Sequence, residues 1–70
     1  MARAQAFDNN MQIARYYTGD KPIQFVKESI ADGLAAVVVQ TAKDDNARIY
    51  RADGSCVEFS GHVPGMWDAI

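Results

Sequence analysis

The sequence predicts an α+β fold in which two N-terminal helices precede a three-stranded antiparallel β-meander, an ααβββ order within a single small domain spanning residues 1–70. Three observations predict it. Asp53-Gly54 interrupts an alternating stretch, and it is the dipeptide that a two-residue type I′ hairpin prefers, because both central residues need φ > 0. Val37-Val38-Val39 is a run of β-branched residues that lose side-chain freedom in a helix. Pro22 and Gly33 bracket a stretch with apolar residues three and four apart, proline suiting the first helical turn and glycine the residue just past the last.

Taken in order, Ala4, Phe7, Met11, Ala14 and Tyr17 lie at spacings of three and four, one stripe of a helix. Asp8 and Asn9 interrupt the propensity and suit a cap, so the first helix is expected over about 9–17, with Thr18-Gly19 as its stop. Asp20 is the expected cap of a second helix over about 22–32. There Ile23, Val26 and Ile30 fall within about 60° of one another and should face the sheet, with Phe25 nearly opposite. A single helix from Ile23 to Lys43 is the alternative, since Leu34-Ala35-Ala36 are good helix formers. The valine run and the Ala31-Asp32-Gly33 stop decide for a strand.

Strands are expected over about 34–42, 47–52 and 55–60, the first two joined by the polar run Lys43-Asp44-Asp45-Asn46. With Asp53 and Gly54 as a two-residue turn, Arg51 faces Cys56, Tyr50 faces Val57 and Arg48 faces Phe59. The first turn sets Val39 opposite Tyr50. Val37, Val39, Tyr50, Val57 and Phe59 then share the face under the helices. Ala36, Val38, Gln40, Ile49, Arg51, Cys56 and Glu58 share the other, with Arg51 and Glu58 diagonal and able to pair. The tail, 61–70, turns at Pro64-Gly65 and carries apolar bulk in Met66, Trp67 and Ile70 that either folds back on the core or meets another chain.

Composition narrows the function. Apolar residues make up 49% and charged residues 23%, which is globular rather than disordered. A net charge of −2, with no like-charged run longer than Asp44-Asp45, is no footprint for phosphate backbones. A lone cysteine, Cys56, excludes an internal disulfide and a cysteine zinc cluster and points to a reducing compartment. The N-terminus lacks the apolar core of a secretory signal and the longest apolar run, Leu34 to Val39, is six residues, so a cytoplasmic protein is expected.

No constellation of catalytic, cofactor-binding or metal-ligating residues emerges. His62 has no second histidine or cysteine at ligand spacing, and Cys56 reads as a small hydrophobe. Thr18-Gly19-Asp20-Lys21 has one glycine where a phosphate cradle needs several, and Asp44-Asp45-Asn46 lacks the closing glutamate of a calcium loop. Arg48, Tyr50 and Phe59 invite comparison with RNA-binding sheets, but both aromatics are first claimed by the core.

The expected role is therefore non-catalytic: a regulatory or inhibitory module that binds another protein, without cofactors. By analogy alone, compact chains of this kind are frequent among phage and mobile-element inhibitors of host machinery, anti-CRISPR proteins included. The residues expected to meet the partner are Val38, Ile49, Arg51, Glu58, Met66 and Trp67. Strands 34–42 and 55–60 would be open edges, and pairing of two copies through one edge would give a homodimer with a six-stranded sheet. The alternative is a nucleic-acid-binding accessory protein using Lys43, Arg48, Arg51 and aromatic stacking.

Overall fold

The computed structural model describes residues 1–42, 45–60 and 63. In place of two helices and a meander, the described residues form one helix and five strands, in the order ββαβββ. These are β1 (Ala2–Phe7), β2 (Ile13–Gly19), α1 (Pro22–Ala31), β3 (Ala36–Gln40), β4 (Ala47–Arg51) and β5 (Cys56–Phe59). They form one sheet of strand order β2-β1-β3-β4-β5, with every neighbouring pair antiparallel.

The helix expected over 9–17 is a hairpin instead. Residues 2–7 alternate rather than repeat at helical spacing: Ala2, Ala4 and Ala6 point to one face and are buried, with Arg3, Gln5 and Phe7 on the other. Asp8, expected to cap, organises the reversal between the strands. Its carboxylate accepts the backbone N–H groups of Asn10 (2.8 Å) and Gln12 (3.1 Å), and Met11 takes φ 62°. Ile13, Tyr16, Tyr17 and Thr18 then supply β-branched and aromatic residues to β2. A bulge between Ala6 and Phe7 in the β1–β2 pairing leaves Ala14 without an opposite residue.

β2 and β3 run the same way on either side of β1, and such a pair needs a crossover. α1 is that crossover, and it lies on the three strands it spans, β1, β3 and β2. Asp20 does not cap it. The residue before the helix is Lys21, whose N–H is accepted by the Tyr17 hydroxyl at 2.8 Å. At the far end Gly33, at φ 94°, donates to Ile30 O (3.0 Å) and Leu34 donates to Ser29 O (3.1 Å), the paired bonds that close a helix through a left-handed residue. The helix is rotated from the expected stripe. Val26 and Ser29 are buried, Phe25 stacks on Tyr17 with ring centroids 5.1 Å apart, and Ile23 is 46% exposed. Small residues on both sides, Ala4, Ala6 and Ser29, let helix and sheet approach closely.

The meander strands lie inside the expected spans, but their register differs. Arg51 N–H donates to Ser55 O and Gly54 N–H to Arg51 O, both at 3.0 Å. Ala52-Asp53-Gly54 is thus a three-residue loop in which Gly54 alone has positive φ, at 90°. Tyr50 therefore pairs with Cys56, Ile49 with Val57, Arg48 with Glu58 and Ala47 with Phe59. That one-residue slip turns β5 over: Val57 and Phe59 leave the helix side, and Cys56 and Glu58 enter it. The β3–β4 pairing shifts by two residues, setting Val37 opposite Tyr50 and Val39 opposite Arg48, so those faces keep their assignment.

Two clusters result. Between α1 and the sheet Val26 packs on Ala4, Ala6, Val37 and Val39, flanked by Tyr17, Phe25, Ile30, Leu34 and Tyr50. On the other face Val38, Ala47 and Val63 are buried together against Phe7, Ile49 and Phe59. The expected open edge at 34–42 is overturned, because β3 is central and paired on both sides. The edges are β2 and β5. No helix among the described residues is long and apolar enough to cross a membrane.

Candidate protein-binding groove

A sheet five strands wide carries a single helix, and the crossover places that helix over β2, β1 and β3. Among the described residues no element covers the helix side of β4 and β5. Alternation along β4 turns Arg48 and Tyr50 to this side, and the β5 register adds Cys56 and Glu58. One wall is the flank of α1 that holds Ile23, Lys27 and Ala31; the floor is Tyr50, and the far wall is the β4–β5 ribbon.

The space divides into two hollows that share Ile23 and Tyr50. The larger, of about 540 Å³, is mostly apolar: Ile23, Val26, Ile30 and Ala31 face Tyr50 and Ala52, with Lys27 on the α1 wall. The smaller, of about 410 Å³, is polar, and Arg48, Glu58 and Asp45 reach into its lining beside Val39 and Pro22. There the Arg48 guanidinium stands 3.9 Å from the Glu58 carboxylate, with both side chains about half exposed (58% and 48%). The Tyr50 hydroxyl first, and Glu58 second, raise the Arg48 pKa above its ordinary value and hold the charge in place. Open to water, such a pair adds little to stability, and it marks the polar end of the groove.

The six residues expected to meet a partner do not form one site. Val38 and Ile49 are brought together, but Val38 is 8% exposed and packs with Val63, so its surface is already used. Arg51 is exposed at the end of β4, on the same face of the sheet as Val38 and Ile49. Glu58 is on the opposite side of the sheet from Val38 and pairs with Arg48, directly across, rather than with Arg51. Met66 and Trp67, like His62 and Lys43, lie outside the described residues. The sequence assigns Ile23 and Tyr50 to the contact between helices and sheet, and gives Lys27 no role.

Cys56 is exposed on β5 opposite Tyr50. Among the described residues no three His, Cys, Asp or Glu side chains are grouped to hold a metal ion. Comparison with protein families, with curated proteins and with solved structures finds no match. The groove's own geometry has to carry the functional reading.

Proposed function

We propose that this chain is a non-catalytic regulatory or inhibitory module that works by binding another protein, and that the groove between α1 and the β4–β5 ribbon is its binding surface. The observation that carries the reading is the strip of β4 and β5 that no element among the described residues roofs. Ile23 stands 46% exposed over a hollow floored by Tyr50, in a chain of 70 residues that has little apolar surface to spare. Tyrosine and arginine are among the residue types that dominate binding energy in protein interfaces, and Tyr50 and Arg48 stand along this one. The nucleic-acid alternative loses its main support, because the register sets Tyr50 and Phe59 on opposite faces, where they cannot stack neighbouring bases.

A photo-crosslinking residue placed at Ile23, with a control at Tyr16 on the opposite face, tests the proposal in cells of the source organism. A protein captured at position 23 and not at 16 is then purified and titrated with the chain. Ile23→Asp should abolish that binding while leaving the circular dichroism unchanged. Equal affinity of the wild type and Ile23→Asp, or capture at position 16 alone, overturns it.

A further inference from the structure

We infer that Asp53-Gly54 is a self-modification site that the β4–β5 loop keeps shut, so that conversion of Asp53 to isoaspartate leaves a lasting mark of hairpin opening. Both residues are exposed, and glycine after aspartate has no side chain to keep its backbone nitrogen from the neighbouring carboxyl group. In the reaction the Gly54 nitrogen attacks Asp53 Cγ. An N–Cγ bond forms, the hydroxyl of the carboxylic acid leaves with the amide proton as water, and a five-membered succinimide closes. Water then breaks one of the two carbonyl–nitrogen bonds of the ring. Cleavage at Cγ restores aspartate, whereas cleavage at the former backbone carbonyl leaves isoaspartate, whose main chain runs through Cβ and Cγ.

The folded loop holds both reacting groups elsewhere. The Gly54 N–H is donated to Arg51 O at 3.0 Å, and Asp53 Oδ1 accepts the Ser55 N–H at 2.8 Å. Two further bonds pin the loop, from Arg51 N–H to Ser55 O at 3.0 Å and from Ala52 N–H to Ala35 O at 3.1 Å. The Ser55 side chain, and then its backbone N–H, also hold the Asp53 carboxyl below its ordinary pKa, and an ionised carboxylate is a poorer electrophile than the acid. Cyclisation therefore waits for the loop to open. β5 is an edge strand of four residues, so its fraying needs less free energy than global unfolding. The product cannot simply close again. Isoaspartate adds one carbon to the main chain of a three-residue loop whose length sets the β5 register, so the bonds across the loop and the Arg48–Glu58 pair are lost together.

The test incubates the full chain in warm neutral buffer made with heavy-oxygen water, folded and unfolded in urea. Each passage through the succinimide carries one heavy oxygen into the tryptic peptide that begins at Ala52, and fragmentation separates isoaspartate from aspartate. Incorporation should be at least about tenfold slower in the folded chain than in the unfolded one. Ser55→Ala removes an exposed side chain that bonds the carboxylate, so this variant should fold and should incorporate label faster than the wild type under native conditions. The isoaspartate form, isolated by chromatography and refolded, should show displaced amide shifts over Cys56–Phe59. Equal rates in the folded and unfolded chain, no label in the unfolded chain, a wild-type rate in Ser55→Ala, or an isoaspartate form with the wild-type amide spectrum each overturn the inference.

Discussion

Tyr17 lies across Gly19, two residues along the same face of β2, so closely that a Cβ at position 19 would fall 2.6 Å from the tyrosine oxygen. The glycine serves as space, and its φ is not in the left-handed region. The ring it accommodates carries the hydroxyl that accepts the Lys21 N–H at 2.8 Å, and it stacks on Phe25, tying β2 to the first turn of α1. Gly19→Ala should therefore push the ring aside and lower stability by about 1–2 kcal/mol in urea unfolding. In a Tyr17→Ala background the same substitution should change stability by less than about 0.5 kcal/mol. An equal cost in both backgrounds would mean that something other than the ring excludes a side chain there.

Ser29 offers a gain. It is fully buried in the helix–sheet contact, and its hydroxyl has no hydrogen-bond partner among the described residues. Ser29→Ala removes that orphan with almost no change of shape and adds helix propensity, so the variant should be more stable by about 1 kcal/mol. In a domain of this size that corresponds to a rise in melting temperature of roughly 4–8 °C. A lower melting temperature would show that the hydroxyl is bonded in solution.

These two positions also show what the sequence could reveal. α1 was legible because Pro22 and Gly33 act locally, through a missing N–H and a permissive backbone, whatever packs nearby. β1 was not. Alanine carries little period of its own, and Ala4, Phe7, Met11, Ala14 and Tyr17 fit a helical stripe as well as Ala2, Ala4 and Ala6 fit a strand; the turn chemistry of Asp8-Asn9-Asn10 was the signal that should have decided. At the second hairpin Asp53-Gly54 identified the turn, but its loop length was fixed by Gly54 alone taking φ > 0, and one residue of error reversed β5. The groove was invisible for a different reason. It follows from which strands the crossover helix spans, a property of topology rather than of any motif.

Val26 and Ile23 belong to one stripe in the sequence and to two environments in the fold. Val26 is 6% exposed over the sheet, and Val26→Ala should cost about 2 kcal/mol through lost burial and a residual cavity. Ile23 overhangs the groove, and Ile23→Ala should cost less than about 0.5 kcal/mol. Chemical denaturation of the two variants side by side fixes the rotation of α1, and similar losses would restore the stripe first expected.

Asp53 gives a prediction in pH. The Ser55 side chain and then the Ser55 backbone N–H, at 2.8 Å from Oδ1, hydrogen-bond its carboxylate, and with Arg51 nearby they lower its pKa below the ordinary value of 3.8. A lowered folded pKa means that the fold favours the ionised form. The contribution is fully present above the unfolded value, near about 3.9, and is lost as pH falls through the lower folded value. Carboxyl carbon shifts followed by NMR should give a midpoint for Asp53 below that of an aspartate in an unfolded peptide. The shift should shrink in Ser55→Ala, and a midpoint at or above the peptide value would contradict the loop geometry.

Register in the second hairpin can be trapped covalently. Directly opposed residues of an antiparallel pair have Cα atoms about 4.5–5.5 Å apart, inside the span of a disulfide. Cys56 is opposite Tyr50, whereas position 51 turns its side chain to the other face of the sheet. Mild oxidation should close an intramolecular disulfide in Tyr50→Cys, read as loss of both free thiols without a dimer on a non-reducing gel, and should leave Arg51→Cys with two reactive thiols. The opposite result would require Arg51 to face Cys56. Val57 and Phe59 would then return to the helix side and displace Glu58 from Arg48, and the polar end of the groove would no longer exist.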